Sequence, residues 1–189
     1  TGGNLLLSMM EQYSGDFLAA VDGLRTLLDC VGRVWPISVE QATVCAEYDD
    51  GSTTQGEVEV DFEQSRGRRV SRIWLEPEVN IHPAAAAAIP TFDAVIIGPG
   101  SFYTSLVPIF LPNGVREAVA AVDGPIVLVT NLLTEGRGMR GFSVAAAVSR
   151  ISEAIGRGVD VVIVNTGNPG DESLARYAAE HKEPLPVGD

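Results

Sequence analysis

Three runs of continuous Val, Ile and Leu constrain this chain more than any other feature in it. They are Asp93-Ala94-Val95-Ile96-Ile97-Gly98, Pro125-Ile126-Val127-Leu128-Val129-Thr130 and Asp160-Val161-Val162-Ile163-Val164-Asn165. A strand with one wet face alternates apolar and polar side chains. These interiors do not alternate, which marks strands buried on both faces of a parallel sheet. Helical stretches, Gly114 to Val122 and Phe142 to Ile155, lie between them. Strands and helices in that order predict an α/β fold, a three-layer Rossmann-like parallel sheet.

Upstream the texture differs. Asn4 reads as the N-cap of a helix over Leu5 to Gln12, and Gly15-Asp16 introduces a second helix from Phe17 to about Val31. Phe17, Val21, Leu24, Leu28 and Val31 fall at steps of three and four, so both are read as core helices. Residues 34–76 read as a β-rich insertion, with strands at Val34 to Ile37, Thr43 to Tyr48, Glu57 to Phe62 and Val70 to Leu75. Glu57, Glu59, Asp61 and Glu63 alternate with Val58, Val60 and Phe62, which describes a strand with a solvated acidic face. Arg66, Arg68, Arg69 and Arg72 follow and would neutralise part of it.

Composition narrows function by exclusion. Hydrophobic residues make up 46% and charged residues 20%, enough for one packed core and a single domain over 1–189. Net charge is −12, which repels phosphate backbones, so nucleic acid is not an expected partner. No apolar run is long enough to cross a bilayer, and a reducing, cytoplasmic location is the expectation. Cys30 and Cys45 fit no metal or disulfide spacing, and His82 and His181 are isolated, so no metal site and no catalytic triad can be assembled. The opening Thr1-Gly2-Gly3-Asn4 runs straight into an apolar stretch, so the chain is expected to be part of something longer.

In open parallel sheets ligands bind at the carboxyl ends of the strands. The first strand is followed by Gly98-Pro99-Gly100-Ser101-Phe102-Tyr103-Thr104-Ser105, where two glycines allow close approach and Ser101, Thr104 and Ser105 bring hydroxyls, a fit for phosphate. It is neither a Walker loop nor the dinucleotide fingerprint, and a tight turn without a ligand fits the spacing equally. The second strand leads into Asn131-Leu132-Leu133-Thr134 and a Gly- and Arg-rich stretch, Glu135 to Gly141, read as a mobile loop whose Arg137 and Arg140 close over an anion or stay solvated. The third ends in Asn165-Thr166-Gly167-Asn168-Pro169-Gly170. No His, Lys or Cys follows any of the three, which points to binding of a polar ligand more than to covalent catalysis. Asp93, Glu135 and Asp171 are read as turn and cap residues.

These motifs, in this order, resemble the CofD/YvcK family of nucleotide-binding proteins. The resemblance rests on Gly3-Asn4-Leu5-Leu6-Leu7, Gly15-Asp16-Phe17, Gly32-Arg33-Val34 with Pro36, the Gly98–Ser105 turn with Val107-Pro108, Asn131-Leu132-Leu133-Thr134 and Val164-Asn165. One branch of that family transfers 2-phospho-L-lactate onto a deazaflavin. The other, the gluconeogenesis factors, resembles a UDP-sugar-binding regulator of carbon use and cell-envelope growth. A GPGS turn rather than a GPSN-type turn favours the regulator branch. The resemblance also implies a Gly-rich half preceding Asn4, so the domain is expected to be partial and its strand edge to pair, giving a homodimer or larger.

The resemblance then implies a nucleotide or nucleotide-sugar ligand. Gly98, Gly100, Ser101, Thr104 and Ser105 would cradle phosphate, and Asn4, Asn131, Thr134 and Asn165 would meet the base, ribose or sugar. Tyr177, on the last helix, is expected either at the ligand or in the core. No catalytic residue is identified and no cofactor is expected in this segment, with Mg2+ needed only in the transferase reading. A non-catalytic interaction module is the remaining alternative.

Overall fold

The chain opens with two helices, α1 (Gly2–Ser14) and α2 (Phe17–Leu27), followed by the strands β1 (Thr43–Tyr48) and β2 (Thr53–Gln55). Helix α3 (Glu57–Ser65), strand β3 (Val70–Glu76) and helix α4 (Pro83–Ala88) come next, then β4 (Val95–Ile97), α5 (Val115–Ala120), β5 (Ile126–Val129), α6 (Val144–Ile155), β6 (Val161–Ile163) and α7 (Asp171–Ala178). This is a computed structural model that describes residues 2–167 and 169–188, with Arg137 and Ser173 described for their backbone alone. Thr1 and Asn168, and the anion-closing role read for the Arg137 side chain, therefore lie outside the described residues.

Two three-stranded sheets form. The first is antiparallel in the order β2-β1-β3, and the second is parallel in the order β4-β5-β6. The parallel sheet, with helices packed on it, gives the Rossmann-like α/β fold read from the three apolar runs. One hydrophobic cluster joins both sheets, from Ala46, Tyr48 and Val60 through Ile97 and Ile126 to Ile151 and Ile155. Asp160 caps the start of β5, its carboxylate accepting from the Ile126 N–H at 2.8 Å. At Gly124 a Cβ would stand 1.8 Å from the Asp93 carbonyl oxygen, so the strand entrances approach as closely as only glycine permits.

The double burial expected of the core strands holds on one face only. Ile126 and Leu128 are buried and pair beside Val95 and Ile97. The register puts Ile96, Val161 and Ile163 on the opposite face, where they are 70%, 47% and 52% exposed. Continuous hydrophobicity reports that a face can be covered, not that this stretch of chain covers it.

Five local expectations are corrected. Asn4 stands inside α1 rather than capping it. The first two helices are not core helices: α1 buries no side chain and α2 only Ala20, because the pair pack on each other. Asp16 caps α2 through the Ala19 N–H (2.7 Å), and Asp29 in the left-handed region (φ 50°) closes the turn beyond it, so Leu28, Cys30 and Val31 fall outside the helix and are exposed. Val34 to Ile37 is extended chain without a strand partner among the described residues. Most consequentially, Glu57 to Phe62 is helix, and β1 pairs instead with Thr53–Gln55. Seven residues of alternation are compatible with a helix when positions four apart are the buried ones, here Val60 and Gln64. Glu57 and Glu59 in the first turn favour that outcome by complementing the helix dipole.

Candidate functional site

The β4 strand delivers the chain at Ile97 into Gly98–Ser101 and then into a widened helical turn over Phe102–Leu106. The Ser101 carbonyl accepts from both Ser105 N (2.9 Å) and Leu106 N (2.8 Å), closing a five-residue ring of the kind that recurs at functional positions. Apolar packing fixes this turn. Phe102 meets Tyr103 and Phe142 edge-on at 5.1 and 4.9 Å between ring centroids, and all of Phe102, Tyr103 and Leu106 are buried. Neither Gly98 nor Gly100 adopts a left-handed φ, so their glycines are not needed for backbone conformation. A Cβ at Gly98 would meet nothing within 4 Å, and one at Gly100 only the Ser105 Cβ at 3.7 Å. Their contribution is open space in front of the backbone.

Three side chains from other parts of the sequence converge on the turn. Asn131, just past β5, clamps the Gly100 peptide: its Oδ1 accepts from Gly100 N (3.2 Å) and its Nδ2 donates to Gly100 O (2.8 Å). Glu135 receives the Phe102 N–H on both carboxylate oxygens, at 3.0 and 2.9 Å, with longer contacts of 3.4 Å from Ser101 Oγ and Asn131 Nδ2. Asp61, on α3, accepts from Thr104 Oγ1 at 3.1 Å, and Thr104 Oγ1 lies 2.6 Å from Ser101 Oγ. A chain thus runs Glu135–Ser101–Thr104–Asp61. Burial pushes the Glu135 carboxyl above its ordinary value and the Asp61 charge adds to this, while the Phe102 N–H, Ser101 and Lys182 pull the other way.

Glu135 and Asp61 are the residues that sequence reasoning missed. From sequence alone Glu135 reads as a turn residue and Asp61 as part of a solvated strand face. The Asn131–Glu135 spacing of four, on the polar end of a core strand, was the available signal. The loop that follows Glu135 is also not the free flap its composition suggests. A Cβ at Gly138 would stand 2.5 Å from Arg68 O and 2.9 Å from Gln64 O, and Met139 is buried in the core, so the loop is docked against α3; Arg140 points to solvent.

The turn separates two concavities of opposite character. On one side, Ile37, Ile89, Ile96, Gly98, Gly100 and Ser105 line an apolar groove of about 450 Å³. On the other, Asp61, Gln64, Ser101, Glu135, His181 and Lys182 line a polar cavity of about 590 Å³. Gln64 is almost fully buried, yet its Oε1 has no hydrogen-bond partner among the described residues. Among the described residues there is no group of three or more His, Cys, Asp and Glu side chains that could hold a metal ion. No described helix is long and apolar enough to cross a membrane.

The other expected site residues are dispersed. Thr134 is buried, its N–H donating to Glu183 O (2.8 Å) and its Oγ1 accepting from Glu183 N (3.0 Å), so it fastens the chain end beside Leu133 and Pro184. Asn165 is exposed and bonds Gly167 two residues on, at 3.1 and 3.3 Å. Tyr177 is partly exposed on α7, and Asn4 is exposed on α1; neither lines the two concavities beside the turn. His82 stands at the N-cap position of α4 without capping it, and its Nδ1 is buried and unpartnered.

The chain as a whole is similar to known proteins. The gluconeogenesis factor of Listeria monocytogenes is 33% identical over 194 residues, covering 98% of this chain and 59% of that protein. The Bacillus subtilis gluconeogenesis factor is 31% identical over 185 residues, covering 97% and 57%. A crystal structure of a UPF0052-family protein from Bacillus halodurans superposes with a TM-score of 0.89 at 30% identity, over 99% of this chain and 60% of that one. The chain thus spans little more than half the length of the curated relatives it matches. The family described as 2-phospho-L-lactate transferase CofD matches residues 1–188. With nearly its whole length inside that match and gluconeogenesis factors among its relatives, the chain belongs to the CofD family, on the side of its YvcK-like members.

Proposed function

We propose that this protein binds a nucleotide sugar, a UDP-sugar, and acts as a regulator of carbon metabolism and cell-envelope growth in the cytoplasm. The single observation that carries this reading is the position of the Gly98–Ser105 turn, with an apolar groove on one side and a polar cavity on the other. A nucleotide sugar has the same division: a flat base that favours an apolar wall, and a diphosphate and sugar that favour N–H and O–H donors. Gly98 and Gly100 leave room for the diphosphate to cross the turn. Ser101 and Thr104 offer hydroxyls there, and Asn131 fixes the peptide that the ligand would meet. The gluconeogenesis-factor names of the relatives support the regulatory part.

Calorimetric titration of the full-length protein with UDP-sugars, GDP and deazaflavin tests the reading. UDP-sugar binding is expected, and Gly100→Val is expected to abolish it while leaving the melting temperature within a few degrees, because the added side chain fills ligand space rather than protein space. Binding unchanged by Gly100→Val would remove the turn from the site. A second reading, the transferase of the family description, is favoured by the two carboxylates of the polar cavity. Asp61 and Glu135 are the residue type through which Mg2+ is held beside substrate phosphates. Turnover of lactyl-nucleotide and deazaflavin in the presence of magnesium would establish that reading in place of the regulator.

A further inference from the structure

The donor best placed for an anion at the Gly98–Ser105 turn is already engaged within the chain. The Phe102 N–H, the first after Ser101, points at the Glu135 carboxylate and is shared by both of its oxygens at 3.0 and 2.9 Å. Ser101, the hydroxyl expected on phosphate, is 3.4 Å from the same carboxylate. A carboxylate and a phosphate face present the same feature to such donors, two oxygens with a shared negative charge. Glu135 therefore sits where the sequence motif would place a ligand oxygen.

We propose that Glu135 is an internal plug of the phosphate position: its carboxylate occupies the Phe102 N–H and stands against Ser101 Oγ without receiving its proton, and a nucleotide phosphate binds by displacing it into the adjoining polar cavity. The proposal rests on the reading of the turn as a phosphate site and adds its regulation.

Three features make the contact displaceable. First, one short donor serves the whole carboxylate, since the contacts from Ser101 and Asn131 are both 3.4 Å and Asn131 Nδ2 has its shorter bond, 2.8 Å, to Gly100 O. Second, the hydroxyl protons are limited. Thr104 donates to Asp61, which leaves Ser101 to donate to Thr104 at 2.6 Å, and an ionised Glu135 then gains no proton from Ser101. Third, the cavity beside Glu135 can receive it. Its volume is about 590 Å³, and Lys182 lines it, already paired with Glu180 at 2.6 Å. Burial and the charge of Asp61 both disfavour the ionised carboxyl where it stands, consistent with a group held for release. The side chain already lines that cavity.

Titration of the full-length protein with UDP-glucose and, separately, with inorganic pyrophosphate tests this. Glu135→Ala frees the Phe102 N–H and is expected to tighten both by about tenfold or more, the worth of one charge-assisted hydrogen bond no longer contested. Glu135→Gln keeps the shape and an oxygen acceptor, removes the charge, and is expected to tighten binding less. It also guards against a folding defect in the alanine variant, with melting curves recorded for both. Equal or weaker binding by both variants, with wild-type binding still abolished by Gly100→Val, overturns the plug and leaves the phosphate turn standing. A gain in affinity that survives Gly100→Val in the Glu135→Ala background overturns the turn itself, and the plug with it. Absence of binding in every variant overturns both.

Discussion

The turns after β4 and after β6 have much the same composition, and their environments separate them. Both follow an apolar strand, and both carry two glycines, a proline and a threonine. After β6, among the described residues, Asn165 bonds Gly167, and both atoms of its amide are engaged within that two-residue span. After β4, the turn is contacted by Asn131, Glu135 and Asp61, from 31, 33 and 43 residues away, and is walled by two concavities. Composition alone therefore does not separate a polar turn on which other elements converge from one bonded locally. The β4 turn organises a pocket.

The largest effect expected from this contrast is at Asn131. Asn131→Ala removes both hydrogen bonds to the half-buried Gly100 peptide and leaves them unpaired, at a cost of about 1–3 kcal/mol in stability, with weakened nucleotide binding. Urea denaturation together with calorimetry measures the two consequences. Wild-type behaviour of this variant in both would mean that the clamp does not organise the turn.

An intermediate effect is expected from the acidic chain at the β4 turn. The folded-state pKa of Glu135 lies above its ordinary value of 4.5, so the folded protein holds this proton more tightly than the unfolded chain. The stabilisation is present in full below about 4.5 and is lost as pH rises through the raised folded value. Wild type should therefore lose stability relative to Glu135→Gln on going from acid to neutral pH. Parallel melting curves of the two proteins would contradict this, and with it the strain assigned to the buried carboxyl.

The smallest effect is expected at the other turn. Asn165→Ala removes a local, exposed contact and should change stability by no more than about 0.5 kcal/mol and nucleotide affinity hardly at all. A large loss of UDP-sugar affinity in a stably folded Asn165→Ala would place the β6 turn in the site and erase the distinction between the two.

Sequence by itself determined the elements whose cause is local. The parallel strands followed from continuous apolar runs, α5 and α6 from the stretches between them, and the glycine turn from its punctuation. The family followed from motifs in order. Period alone misjudged the stretch from Glu57, because seven alternating residues satisfy both repeats and the decision fell to which of Val60 and Gln64 could be buried together. That choice turned Asp61 from a wet strand face into a partner of Thr104. Tertiary structure alone decided that Glu135 meets Phe102 and that Thr134 secures Glu183. The physical reason is the range of the forces read. Hydrophobic periodicity and capping act within a turn or a strand and leave their mark in neighbouring letters, whereas a hydrogen bond across 33 or 43 residues exists only once packing has brought its two ends together.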